Sequence, residues 1–207
     1  MSKSLPVLLF VVVAAVVGWS AVGPFDRLTW WLEVTPAFMA FVAMAVTWRR
    51  FRLTDLALVL IALHMILLAV GGHYTYARVP LGEWMRAMFG FARNHYDRIG
   101  HFAQGFVPAI VAREIFIRNR VVNSRGWLAF LVVCVCLAIS LVYELVEWAA
   151  ALTSAEASSA FLGTQGDPWD TQEDMAMAVV GAVCALLLSR WHDRQIERVT
   201  RYSNTTR

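Results

Sequence analysis

Within this 207-residue chain, the stretch Asn94-His95-Tyr96-Asp97-Arg98-Ile99-Gly100-His101-Phe102-Ala103-Gln104 sets two histidines and a carboxylate at the entrance to an apolar run. Asp97 and His101 are four apart and share one face of a helix, with Gln104 a further three along. Two later stretches have the same character: Tyr143-Glu144-Leu145-Val146-Glu147-Trp148, and Gly166-Asp167-Pro168-Trp169-Asp170-Thr171-Gln172-Glu173-Asp174-Met175. Carboxylates and an imidazole gathered at one depth can hold a divalent ion or exchange protons. A bound metal there would polarise an ester or phosphoryl oxygen, or lower the pKa of a bound water. The expected chemical set is Asp97, His101, Glu144 and Asp174. Asp170 joins these four as a metal ligand, and His73, Glu147 and Asp167 stand in a second tier.

Each of these residues also has a structural reading. Asn94 can cap a helix with Asp97 in its first turn, near the positive end of the dipole. Asp167 can do the same, with Pro168 as the first helical residue and Asp170 at the third position. Glu147 can reach the headgroups beside Trp148, and Glu144 can pair with Arg98 or Arg78. His64 reads as a packing residue. The His73-Tyr74-Thr75-Tyr76 segment reads either as a lid or as an interfacial anchor. His101 is harder to dismiss, because an ionisable residue one turn deep in an apolar span is costly without a partner.

The elements that position these groups are membrane helices. The chain is 59% hydrophobic and 16% charged, with mean hydropathy +0.57, against about 25% charged in a soluble domain. A single all-α domain over 1–207 is expected, with six spans at about 5–22, 30–48, 53–70, 99–116, 127–148 and 175–191, each near the roughly 20 residues that a bilayer core requires. The first run is too long for a signal-peptide core and lacks a small-x-small cleavage site. Gly71-Gly72 is expected to break the third span. A polar loop follows over 73–98, with a short interfacial helix near Glu83–Phe91. Cys134, Cys136 and Cys184 lie inside apolar runs and read as buried thiols. There is no phosphate loop, nucleophile elbow or HExxH motif, and the serines at 140 and 154–159 lack an adjacent base.

Charge sets the orientation. With the N-terminus inside, thirteen of the 18 Lys and Arg residues fall on the inner face: Lys3, Arg49, Arg50, Arg52, Arg113, Arg118, Arg120, Arg125, Arg190, Arg194, Arg198, Arg201 and Arg207. Arg27, Arg78, Arg86, Arg93 and Arg98 fall outside. Both termini are therefore expected in the cytoplasm. The loop after span three, the start of span four, the end of span five and the start of span six then share the outer face.

At these residues the chain resembles a known family. Gly71-Gly72-His73-Tyr74-Thr75-Tyr76-Ala77-Arg78-Val79-Pro80-Leu81-Gly82, the Asp97/His101 stretch, the Tyr143–Trp148 stretch and Gly163-Thr164-Gln165-Gly166-Asp167-Pro168-Trp169-Asp170 resemble the YjdF family of bacterial inner-membrane proteins, essentially over the whole chain. The order Asp97-x-x-x-His101, then Glu144 or Glu147, then Asp170 and Asp174 is similar, over the last half, to VanZ-like proteins. The resemblance implies a multi-pass inner-membrane bundle and hints at envelope lipids or glycans. It assigns no reaction. Three functions are carried forward. The first is a metal-assisted enzyme acting on an envelope lipid or lipid-linked glycan. The second is a transporter or lipid-binding protein using the carboxylates for proton or cation coupling. The third is a structural membrane scaffold. Membrane lipids are the expected partners and nucleic acid is not. The sequence leaves the oligomeric state open.

Overall fold

The computed structural model describes residues 4–152 and 167–205, with side chains described to residue 200. Small residues and the absence of Lys and Arg make 149–166 an expected loop; it is helical to Ala151, and 153–166 lie outside the described residues, as do Lys3, the serines at 154–159 and the Gly163–Gly166 part of the family-like string. The described chain is helical throughout: α1 (Leu5–Ser20), α2 (Arg27–Thr47), α3 (Asp55–Tyr74), a single 3-10 turn (Tyr76–Arg78), α4 (Pro80–Phe89), α5 (Tyr96–Arg118), α6 (Arg125–Ala151), α7 (Asp170–Leu187) and α8 (Ser189–Thr205). Helix starts follow local chemistry. Asp26 accepts a hydrogen bond from the Thr29 amide at 2.7 Å, and Thr54 accepts one from Ala57 at 3.2 Å. Pro80 opens α4, and Gly90 closes it at φ +71, a left-handed position that suits glycine.

Three helices, α2, α3 and α6, are long and apolar enough to cross a membrane, and α7 with α8 makes a fourth if that bent pair is one span. The chain turns by 64° between α7 and α8. The last apolar segment therefore ends at Leu187, and Trp191 belongs to α8 rather than to the span expected over 175–191. The bend falls where an apolar sequence gives way to the Arg-rich Ser189–Thr205 segment.

Gly71 and Gly72 do not break α3, which continues to Tyr74. They are there for close approach. A Cβ at Gly71 would sit 2.4 Å from the Tyr76 ring, and one at Gly72 would meet Glu33 Cβ at 3.2 Å. Gly100 on α5 flanks Tyr76 from the other side at 2.8 Å, so the ring is clasped between two glycines. Asn94 lies one residue outside the cap position expected for it. It accepts from the Tyr96 amide (3.0 Å) and donates to Val79 O (3.1 Å), tying the start of α4 to the start of α5. The expected Asp167-Pro168 helix start is also displaced. α7 begins at Asp170, and Asp167 instead closes a small turn onto the Trp169 amide at 2.9 Å.

The packing is centred on α5, which touches α3, α6, α7 and α8, with α1 and α2 laid against α3. The tightest crossing is between α5 and α7. A Cβ at Gly105 would fall 1.8 Å from Ala178 O, and one at Gly181 would fall 2.1 Å from Phe102 O. Small residues at such a crossing let backbones meet where lipid supplies no hydrophobic driving force. At the far end of α5, Glu114 is fully buried. It accepts hydrogen bonds from the Thr54 amide (3.0 Å), the Thr54 hydroxyl (2.8 Å) and Arg118 (2.7 Å), with His192 Nε2 at 3.4 Å. This network staples the start of α3 and the start of α8 to the end of α5.

The α5–α7 contact yields a paired expectation. Gly105→Ala forces a Cβ into backbone and should destabilise by about 2 kcal/mol or more. Gly18→Ala, where nothing lies within 4 Å, should be neutral or stabilising by up to about 1 kcal/mol. Apparent melting temperatures in detergent compare the two.

Candidate functional site

The first two turns of α5 carry Asp97, Arg98, His101 and Gln104, and the Gly105–Ala178 contact one turn below brings α7 against them. His101 is 3% exposed. Its Nδ1 lies 3.0 Å from Gln104 Oε1, an oxygen that can only accept, so Nδ1 carries the proton. That leaves Nε2 facing three carboxylates on three helices: Asp97 Oδ1 at 3.5 Å, Glu144 Oε1 of α6 at 3.7 Å and Asp174 Oδ2 of α7 at 3.8 Å. Asp97, His101 and Asp174 each offer one ligand atom, all within 4.8 Å of one another. Glu144, itself buried, has no hydrogen-bond partner at Oε1 among the described residues. The edge of the Tyr143 ring closes the side, 5.9 Å from the imidazole.

The surrounding charges divide the cluster in two. On one side Arg98 binds Asp174 Oδ1, Glu173 at 2.5 Å, Asp170 at 3.0 Å and Asp167 at 3.5 Å. Arg93 adds Asp170 at 2.5 Å and Asp167 at 3.4 Å. This half is paired with guanidinium, two arginines meeting four carboxylates. The other half holds Asp97, Glu144 and the second oxygen of Asp174, and His101 is the basic side chain that all three face. Asp174 is shared between the halves, one oxygen to Arg98 and the other toward His101.

The structure thus brings Asp97, His101, Glu144 and Asp174 together. Asp170, expected among the ligands, is held on the arginine side, and Asp167 lies there too. The spacing of four between Asp170 and Asp174 suggested a common face but could not reveal that Arg93 and Arg98 both pair with Asp170. His73 is not at the cluster. It donates from Nδ1 to Ser20 O at 3.1 Å and stacks on Trp19 at 4.4 Å, anchoring α3 to α1. Glu147, half-buried one turn beyond Glu144, interacts electrostatically with Asp97, Glu144 and Glu33. His95 packs on Phe91 at the mouth, where burial first, then Arg93 and Arg98, lowers its pKa below the ordinary histidine value. Glu173 and Asp167 act on it in the opposite, weaker sense.

One member was missed. Glu33 of α2 is 4% exposed, accepts from the Tyr143 hydroxyl and is hydrogen-bonded by Tyr76. A lone carboxylate inside an apolar span was the available signal, the same cost that singled out His101. Through Tyr143, Glu33 extends the ionisable set from α5, α6 and α7 to α2.

A helical membrane protein with an ionisable cluster buried at one mouth of the bundle is what fold and site together define. The chain belongs to the family described as "Predicted membrane protein (DUF2238)", whose model matches residues 5–194. It is 50% identical over 181 residues to "Inner membrane protein YjdF" of Escherichia coli (strain K12), a match covering 87% of each chain. The family resemblance read from the Gly71–Gly82 string and the acidic stretches is therefore correct. No solved structure matches.

Removing Arg98 would leave Asp174 and Glu173 without their arginine and Asp170 with Arg93 alone. Arg98→Met should cost on the order of 3–5 kcal/mol, as expected when one partner of a buried pair is lost. Arg86→Met, which breaks an exposed pair with Glu83, should cost at most about 1 kcal/mol. Equal melting temperatures for the two variants would contradict the division of the cluster described above.

Proposed function

We propose that this chain is a multi-pass inner-membrane enzyme that binds a divalent ion at His101 and acts on an envelope lipid or lipid-linked glycan. The observation that carries this reading is the convergence of three carboxylates from three helices on one imidazole nitrogen, through oxygens that form no ion pair with arginine among the described residues. His101 Nε2, Asp97 and Asp174 Oδ2 supply the ligand set, with Glu144 Oε1 as a fourth ligand or as the base that takes a proton from water. Three oxygens and one nitrogen suit zinc, manganese or magnesium. Such an ion polarises a carbonyl or phosphoryl oxygen and acidifies bound water. Gln104 holds the imidazole tautomer, as a partner on the distal nitrogen does for metal-bound histidines. Arg98 fixes Asp174 and offers positive charge next to the position of a substrate phosphate.

The membrane placement within this proposal is a single domain of six spans, adding α1 and α5 to the apolar helices and counting α7 with α8 as one. The VanZ-like order of Asp97, His101, Glu144 and Asp174 agrees with it, and the name of the Escherichia coli relative supports the inner membrane. The 13-to-5 excess of Lys and Arg supports cytoplasmic termini, which puts the cluster at the outer leaflet. A cysteine at Ser158, in a background lacking Cys134, Cys136 and Cys184, should react with an impermeant reagent in intact cells. Reaction only after lysis would reverse the orientation.

A second reading is proton or cation coupling. It draws on Glu33 with its two tyrosine partners, Glu147, and His64, whose buried Nε2 has no hydrogen-bond partner among the described residues. Elemental analysis of the purified protein separates the readings. The enzyme reading expects about one divalent ion per chain, lost in folded His101→Ala and Asp174→Asn variants. A wild type that is metal-free and takes up no added zinc, manganese or magnesium would overturn it. Gradient-dependent transport by that metal-free protein in sealed vesicles would establish coupling. Variants that lose only stability would leave the scaffold.

A further inference from the structure

Away from the polar cluster, α1 and α2 both lie on α3 and are pinned to each other at one end, where the Trp30 indole N–H donates to Ser20 Oγ at 3.0 Å. Toward the other end a groove of about 440 Å³ lies between them over α3. Pro6, Phe10 and Val13 of α1, Phe41 of α2, Trp48 just beyond the end of α2, and Met65 of α3 line it. Phe10 and Phe41 stack across it at 5.3 Å, and both remain exposed at its rim. No charged side chain lines it.

Its mouth is different. Trp48 is followed at once by Arg49 and Arg50, both exposed in the turn that closes α2, and by Arg52. Arg52 is already engaged, 5.3 Å over the Trp48 ring and 3.4 Å from Asp55. It holds the tryptophan at the rim. Arg49 and Arg50 enter no ion pair among the described residues. An open apolar groove with two arginines outside any ion pair directly after its rim residue Trp48 is complementary to an acyl chain carrying an anionic headgroup.

We propose that the α1–α2–α3 groove is a binding site for an anionic phospholipid, its acyl chain between Phe10, Phe41 and Met65 and its phosphate at Arg49 and Arg50. The volume is in the range of ordinary small-molecule sites. Two arginines at a headgroup each add attraction for anionic lipid, and the guanidinium fork matches a phosphate better than an ammonium does. The site is independent of the metal reading and of which way the termini face, because it uses neither the cluster nor the loop charges on the other side.

The experiment is native mass spectrometry of the delipidated full-length protein in detergent, titrated with phosphatidylglycerol and with phosphatidylcholine of the same chains. The wild type should hold one phosphatidylglycerol about 30-fold more tightly than phosphatidylcholine, the preference expected from two arginines near a headgroup. R49Q/R50Q should erase that preference while leaving weak binding of both lipids. Ala45→Trp, which fills the groove from an exposed position on α2, should remove the tight site for either lipid. Equal wild-type retention of the two lipids, or a preference that survives R49Q/R50Q, would overturn the proposal. So would undiminished phosphatidylglycerol binding by folded Ala45→Trp. If Ala45→Trp fails to fold, R49Q/R50Q, altered only in an exposed turn, still decides the matter.

Discussion

The crossing of α5 and α7 at Gly105 and Gly181 governs the rest of the molecule. Backbone touches backbone there, with no room for a single methyl group. In lipid, helices gain little from hydrophobic burial, so association must come from close packing and polar contacts. The glycines supply the packing. One turn above lie His101 on α5 and Asp174 on α7, and the polar contacts follow from the same close approach. A wider crossing would let Arg98 and Asp174 separate and would strand both in a medium where each is costly. Packing and electrostatics therefore reinforce each other at one end of the bundle.

The cluster is not a uniform pool of acid. Arg93 and Arg98 pair with Asp167, Asp170, Glu173 and one oxygen of Asp174, and among the described residues neither forms an ion pair with Asp97 or Glu144. Burial of an unbalanced charge is expensive unless a proton, a cation or a substrate charge relieves it. A purely structural network would be expected to close its own balance, as Glu114 does at the opposite end. There one carboxylate meets Thr54, Arg118 and His192, with Arg113 and Asp193 completing the pairing at 2.5 Å. The contrast between the two ends of α5 is what makes the His101 end the functional candidate.

Much of that candidate was legible in the sequence, for a reason tied to helix geometry. Asp97 and His101 are four apart, Glu144 sits a turn inside its span, and Asp174 sits at the entry to the last one, a turn after Asp170. Depth and face follow from counting. Glu33 was not legible as a partner, because nothing in a lone carboxylate on α2 says that Tyr143, 110 positions later, will meet it. Asp170 was assigned to the wrong neighbour for a related reason: spacing gives the face but not which cation stands opposite. Gly71-Gly72 looked like punctuation because glycine serves both bends and close approach. Only the Tyr76 ring between Gly71 and Gly100 decides for the second. The Glu114–His192 pairing, 78 residues apart, was hidden in charges whose role in topology was already sufficient to account for them.

Helix α5 itself shows why apolarity and burial are different quantities in a membrane protein. It carries Asp97, Arg98, Arg113, Glu114 and Arg118, and it is not among the helices apolar enough to cross a membrane alone. Yet it is the helix most enclosed by others, and Arg98, His101, Gln104, Arg113 and Glu114 are all buried in its neighbours. The more apolar α6 exposes Leu141, Val142, Leu145 and Val146, as a helix facing acyl chains should. Hydropathy reports the solvent that a helix faces. For α6 that solvent is lipid, whereas for α5 it is protein, and a protein surround can pair charges that lipid cannot. The helix least suited to lipid by composition is therefore the one placed to carry ionisable groups at both of its ends.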